Sequence, residues 1–216
     1  PQDGDWDYII FDEGTTNSLL EYCEIKYGGG NSSWGMIDIE DNAVVSMKNC
    51  KLSNSKYFAI ETEGSTNGFA EFTNNQLSKS SGHIIKIKGM HVGTIGAGNT
   101  FSSDANSGIL ITGASSGYIY INSNCQWNKQ SVAYFIEDPM IVRNNAIFTI
   151  DPGAVLKFIS GKYLQIGYSE EYGKLVAEGT GAEQIKFTSA SPIKQKCEWG
   201  RISFTPKTMT GFKLAY

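Results

Sequence analysis

Six charged residues recur at near-constant steps in the first half of the chain: Asp38 and Glu40, Glu61 and Glu63, Lys86 and Lys88. Within each pair the two residues are two apart, and residues two apart on an extended strand share a face. Strand pairing would therefore stack four carboxylates on one surface, with two ammonium groups next in line. Stacked carboxylates repel, and Ca²⁺ relieves that repulsion through oxygen ligands, so Asp38, Glu40, Glu61 and Glu63 are candidate Ca²⁺ ligands. The competing reading is a solvated face with a salt ladder from Glu61/Glu63 to Lys86/Lys88, each pair contributing roughly 0.2–1 kcal/mol. A second set is aromatic. Trp6, Trp34 and Tyr57 each stand three residues before the first inward isoleucine of a segment (Ile9, Ile37, Ile60). Flat aromatic faces suit the apolar faces of sugar rings, and a row of them forms a patch that asks for a partner. Otherwise the same rings cover the core at a corner.

Other chemistries find no residues. Two histidines, His83 and His91, and no Gly-x-Ser-x-Gly turn leave no Ser/His/Asp arrangement. Glycoside hydrolysis needs two carboxyls about 5–9 Å apart. Glu137/Asp138 and Asp12/Glu13 are sequence neighbours that point to opposite faces, and Glu40/Glu63 on adjacent strands fall near the short limit. Gly28-Gly29-Gly30 follows a strand pattern but opens no helix, so it is no phosphate loop. The four cysteines, 23, 50, 125 and 197, form no CxxC pair, which argues against structural zinc. The net charge of −4 argues against nucleic acid. Residues 1–131 carry 8 Lys/Arg against 14 Asp/Glu, and residues 132–216 carry 10 against 8. No apolar run is long enough to span a bilayer. The opening PQDGDW reads as a mature or trimmed start.

The elements that must position these residues come from a repeat. Residues 34–131 read as four copies of one unit of about 25 residues, a period that signals a solenoid whose layers bury their apolar faces only by stacking. Inside each copy the apolar period is 2: Ile37/Ile39, Ile60/Thr62, Ile85/Ile87, Ile109/Ile111. That is a strand pattern, and no window offers a capped helical stripe. The expected fold is all-β: a single-stranded right-handed parallel β-helix of seven to eight coils, spaced roughly 4.8 Å apart. It forms one domain over residues 1–216, with short coils in 6–131 and 132–190. Corner segments YCEI (22–25), NCKL (49–52), NNQL (74–77), GNTF (98–101) and NCQW (124–127) align Ile25, Leu52, Leu77, Phe101 and Trp127 as one inward column. Asn49, Asn74 and Asn124 then hold turns. Cys23 and Cys50 fall at the same corner of adjacent coils, as stacked thiols or as a disulfide within bridging range. Trp6, Ile9 and Phe11 also match Trp199, Ile202 and Phe204, and Leu20-Glu21-Tyr22 matches Leu214-Ala215-Tyr216. This predicts a longer repeat of about 193 residues, restarting in 191–216. The last strand carries no polar cap, so further coils or another chain are expected against it.

Between those copies, Asp151-Pro152-Gly153-Ala154-Val155-Leu156-Lys157-Phe158, GKLVAEGT (173–180), IKFTS (185–189) and Trp199-Gly200-x-Ile202-x-Phe204 resemble a recurrent module. It belongs to right-handed parallel β-helix proteins of the pectin-lyase-like fold, found in secreted and surface-anchored bacterial proteins of Bacteroidetes type. The resemblance covers nearly the whole chain. It implies a secreted or cell-surface location, and a choice among polysaccharide lyases, glycoside hydrolases, adhesins and modules without activity. Pectate lyases place Ca²⁺-binding acids on one face beside a basic residue, a role that Lys86 or Lys88 would take. Three functions stand as expectations: glycan binding or adhesion at Trp6/Trp34/Tyr57, a Ca²⁺-dependent lyase on the acid face, and a spacer within a longer solenoid.

Overall fold

The computed structural model describes residues 1–30, 34–62, 68–78, 82–102, 107–113, 116–193 and 195–215. The chain is all-β, a solenoid of parallel strands with about six turns. Among the described residues the one helical element is the 3₁₀ segment Gly89–Thr94, and no helix is long and apolar enough to cross a membrane. The chain divides into two compact units: residues 1–87, 94–110 and 130–132, and residues 88–93, 111–129 and 133–216.

In the first unit, alternating Ile residues set the register. Strands Ile9–Phe11, Ile37–Ile39 and Ile60–Glu61 pair in parallel, and the next strand begins at Ile85, so that Ile9, Ile37, Ile60 and Ile85 align. Ser18–Glu21, Val45–Lys48 and Phe69–Thr73 form a second sheet. Glu24–Lys26, Lys51–Ser53, Gln76–Ser78 and Thr100–Ser102 form a third, which aligns Ile25, Leu52, Leu77 and Phe101. Every other side chain points inward, which buries Ile37, Ile39, Met47, Leu52, Ile60, Phe72 and Leu77 completely or nearly so.

The corner between the second and third strands is an asparagine device shared between two positions. Asn49 and Asn74 take the left-handed backbone (φ 55° and 57°), a region where asparagine is the cheapest residue after glycine. The cross-coil bonds come from the residue after the corner. Asn75 Oδ1 accepts Cys50 N–H at 2.9 Å and its Nδ2 donates to Met47 O at 2.9 Å; Asn99 Oδ1 accepts Asn75 N–H at 2.9 Å. At Gly98 (φ +75°) a Cβ would stand 2.0 Å from Asn74 Oδ1, so this coil has no room for a side chain there.

In the second unit, Tyr134–Ile136, Val155–Phe158 and Lys186–Ser189 pair in one sheet. Ile119–Ile121, Met140–Val142, Leu164–Ile166 and Ile202–Phe204 form the next. Cys125–Trp127, Ala146–Ile150, Gly173–Glu178 and Lys213–Ala215 form the last. The core centres on Trp127, whose ring centroid lies 5.0 Å from those of both Tyr134 and Phe148. Its indole Nε1 donates to Gly89 O at 3.0 Å, satisfying the one polar atom the ring buries.

Two expectations change. The turns number about six, slightly below seven to eight. The strands at the two ends, Ile9–Phe11, Ser18–Glu21, Ile202–Phe204 and Lys213–Ala215, bury no residue fully. Trp127 is inward but leaves the Ile25–Phe101 column for a separate sheet. The edge at Phe101 is closed by a side chain instead: Phe101 N–H donates to Ser131 Oγ, and Ser131 Oγ–H donates to Phe101 O. Ile9–Phe11 pairs with Ile37–Ile39, and its sequence match Ile202–Phe204 pairs with Leu164–Ile166.

Candidate functional site

The first unit places the acids as the spacing requires. Ile10, Asp38, Glu61 and Lys86 are consecutive strand partners on the outer face of the first sheet. Lys86 Nζ meets Glu61 Oε1 at 3.0 Å and also lies 5.8 Å from the Phe58 ring centroid. The salt ladder is therefore present at this step. Glu63 lies outside the described residues. Lys88, half-buried, belongs to the second unit.

Burial distinguishes this face from a solvated one. Asp38 is 5% exposed and Glu61 6% exposed although both point away from the coil interior. Burial, then the charges of Glu40 and Glu61, then a hydrogen bond with Glu40, push the Asp38 carboxyl up to about 7. Asp38 thus keeps its proton in mildly acidic solution. No group of three or more His, Cys, Asp or Glu among the described residues is arranged to hold a metal ion.

Trp6, Trp34 and Tyr57 sit three residues before Ile9, Ile37 and Ile60, which are themselves in register, so they stand on successive coils. All three are half-buried. They are not stacked on one another. Trp6 Nε1 donates to Lys26 O at 2.7 Å, and its ring lies over Gly28, where a Cβ would come within 2.6 Å of both Trp6 and Met36. The glycine run thus serves close packing of Trp6. The Trp34 ring packs on Tyr8 at 4.6 Å with a 53° tilt. The Lys56 ammonium stands 5.5 Å from the Tyr57 ring centroid. The row is three half-buried aromatic residues, each with its own neighbour.

Cys23 and Cys50 are adjacent by register, and both are free thiols, as are Cys125 and Cys197. Cys50 Sγ–H is within reach of Lys48 O at 3.2 Å and Leu20 O at 3.4 Å, and burial raises its pKa.

The second unit holds an aromatic surface that the spacing argument above passed over. Tyr118 and Tyr120 stack with centroids 5.7 Å apart and planes at 22°. The Arg143 guanidinium lies 3.9 Å from the Tyr120 centroid, and that of Arg201 lies 5.0 Å from the Tyr163 centroid. Tyr118 precedes Ile119 and Tyr163 precedes Leu164, which the strand pairing sets at the same station two strands apart. Comparisons with known protein families, with curated proteins and with solved structures find no match to this chain.

Proposed function

We propose that the chain is a non-catalytic β-solenoid module of a secreted or cell-surface bacterial protein, and that it binds glycan through Trp6, Trp34 and Tyr57. The observation that carries this reading is the shared register of Ile9, Ile37 and Ile60, which sets three half-buried aromatic residues on consecutive coils. Consecutive coils repeat at roughly the strand spacing of 4.8 Å, so a sugar chain lying along the stack meets more than one ring. The pectin-lyase-like, Bacteroidetes-type affiliation is part of the same proposal. It rests on the 151–158, 173–180 and 185–189 segments and on Trp199-Gly200-x-Ile202-x-Phe204.

The Ca²⁺-dependent lyase alternative draws less support. Its acids Asp38 and Glu61 lie beneath the surface, and Lys86, its candidate base, is engaged with Glu61. A spacer role has an observation of its own. Ile193, Phe204, Phe212 and Leu214 are exposed in the second unit, and Ala177, Ile185, Phe187 and Leu214 help line a cavity of about 570 Å³. Such a surface suits further coils or end-to-end association.

A glycan array read in Ca²⁺ and in EDTA separates the three. Retention in both buffers supports aromatic recognition. Retention lost in EDTA, with an unsaturated product appearing in solution, supports the lyase. Folded protein that binds nothing and self-associates supports the spacer.

A further inference from the structure

The outer face of the Ile119–Ile121, Met140–Val142, Leu164–Ile166 and Ile202–Phe204 sheet is built differently from the rest of the surface. Tyr120, Ile141, Gln165 and Ser203 are strand partners on that face, because their neighbours Ile119, Met140, Leu164 and Ile166 point inward. Ile141 points outward yet is only 1% exposed, so side chains of this face close over it. Tyr118 and Tyr168 are exposed at 36% and 43%. Tyr118 and Tyr120 stack on this face, and burial first, then Tyr118, push the Tyr163 hydroxyl pKa up, Arg201 opposing and Tyr168 and Tyr120 adding. Tyr168 is held by a short antiparallel turn, in which Tyr168 and Glu171 exchange backbone hydrogen bonds at 3.0 and 2.9 Å.

Charge selects the partner. The second unit carries twelve Lys/Arg against eight Asp/Glu, the first six against fourteen. Around the tyrosines most cations are already matched: Arg143 with Glu171 at 3.4 Å, Lys207 with Glu170 at 2.5 Å, Lys162 with Asp138 at 3.7 Å. Arg201 is exposed and makes no ion pair among the described residues; its guanidinium is held over Tyr163. One open guanidinium beside several aromatic faces fits a polymer with flat apolar ring faces and spaced anionic groups. It does not fit a nucleic acid, whose phosphates need many unmatched cations.

We propose that this face binds an anionic polysaccharide. The tyrosine rings lie against sugar C–H faces, and Arg201 pairs with a carboxylate or sulfate through its two-pronged donor geometry. The site is independent of the Trp6/Trp34/Tyr57 reading, since it uses the other unit and other residues.

The test is native affinity electrophoresis in gels containing alginate (carboxylated), dextran sulfate (sulfated) or dextran (neutral). Retardation by one or both anionic polymers and not by dextran is expected, and the two anionic gels tell carboxylate from sulfate. Arg201→Gln should weaken retardation about tenfold, the scale of one charge-assisted contact. Tyr168→Ala should weaken it as well. Lys213→Gln, which removes the same charge from the same unit, should leave it unchanged, with melting temperatures checked for each variant. Equal loss in Lys213→Gln, or no loss in Arg201→Gln, overturns the proposal. Equal retardation by dextran also overturns it. Silence in all three gels overturns it too, and leaves the face to a protein partner.

Discussion

Asp38 and Glu61 stand opposite each other on paired strands, and Lys86 closes on Glu61 at 3.0 Å from the next strand. The two carboxyls share one column and one degree of burial. Asp38 holds its proton up to about 7, far above its ordinary 3.8.

This gives a pH dependence with a definite sign. The folded state binds the Asp38 proton more tightly than the unfolded state, so this contribution to stability is complete below about pH 4. It falls as pH rises toward 7, at up to about 1.4 kcal/mol per pH unit. Asp38→Asn mimics the protonated form and cannot ionise. Its melting temperature should exceed that of the wild type at pH 8 and match it near pH 4. A variant less stable at pH 8 would contradict the assignment.

Lys86→Met should destabilise the fold by about 3 kcal/mol, because it removes the ammonium that meets the buried Glu61 carboxylate at 3.0 Å. Adding Glu61→Gln to that variant should recover most of the loss. Urea denaturation of the two single variants and the double variant measures the coupling. Additive losses would mean that the pair contributes nothing as a pair.

Asn75→Ala removes the acceptor for Cys50 N–H and the donor to Met47 O in a site that is fully buried. The expected loss is about 2–4 kcal/mol, two unsatisfied backbone groups. A loss below about 0.5 kcal/mol, the level of a surface substitution, would remove the corner amide from the account.

Thiol labelling should resolve the four cysteines by burial. Cys197 is exposed and reacts first; Cys23 is half-buried and follows. Cys50 and Cys125 react only on unfolding, since both are buried and burial raises both thiols, Cys125 to about 11. Mass spectrometry of protein labelled at pH 8 reads the order, and early modification of Cys125 would contradict the packing around Trp127.

The sequence made the strand register readable because side-chain period 2 leaves few alternatives once Ile37/Ile39 and Ile60/Thr62 face inward. The columns Ile10–Asp38–Glu61–Lys86 and Ile25–Leu52–Leu77–Phe101 follow from that alone. Burial of Asp38 was not readable, since alternation assigns a face but not what covers it. The departure of Trp127 from its column was hidden for another reason: the 3₁₀ segment Gly89–Thr94 replaces a strand, and a serine ends the ladder at Phe101. The corner asparagines were legible as turn residues. Asn124 makes its cross-coil bond at the corner itself, accepting Ile147 N–H at 2.9 Å, whereas in the first unit the cross-coil bonds come one position later, from Asn75 and Asn99. The tyrosine face escaped because Tyr118 and Tyr163 precede their strands and only pairing brings them together.

The most direct test of the central claim compares wild type and Trp34→Ala on the glycan that the wild type binds best, with folding verified by melting temperature and circular dichroism. Aromatic recognition predicts that Trp34→Ala folds and loses binding, by about tenfold or more for a ring that contributes at least 1.4 kcal/mol. Undiminished binding by a folded Trp34→Ala variant would contradict it and remove the Trp6/Trp34/Tyr57 row as the site.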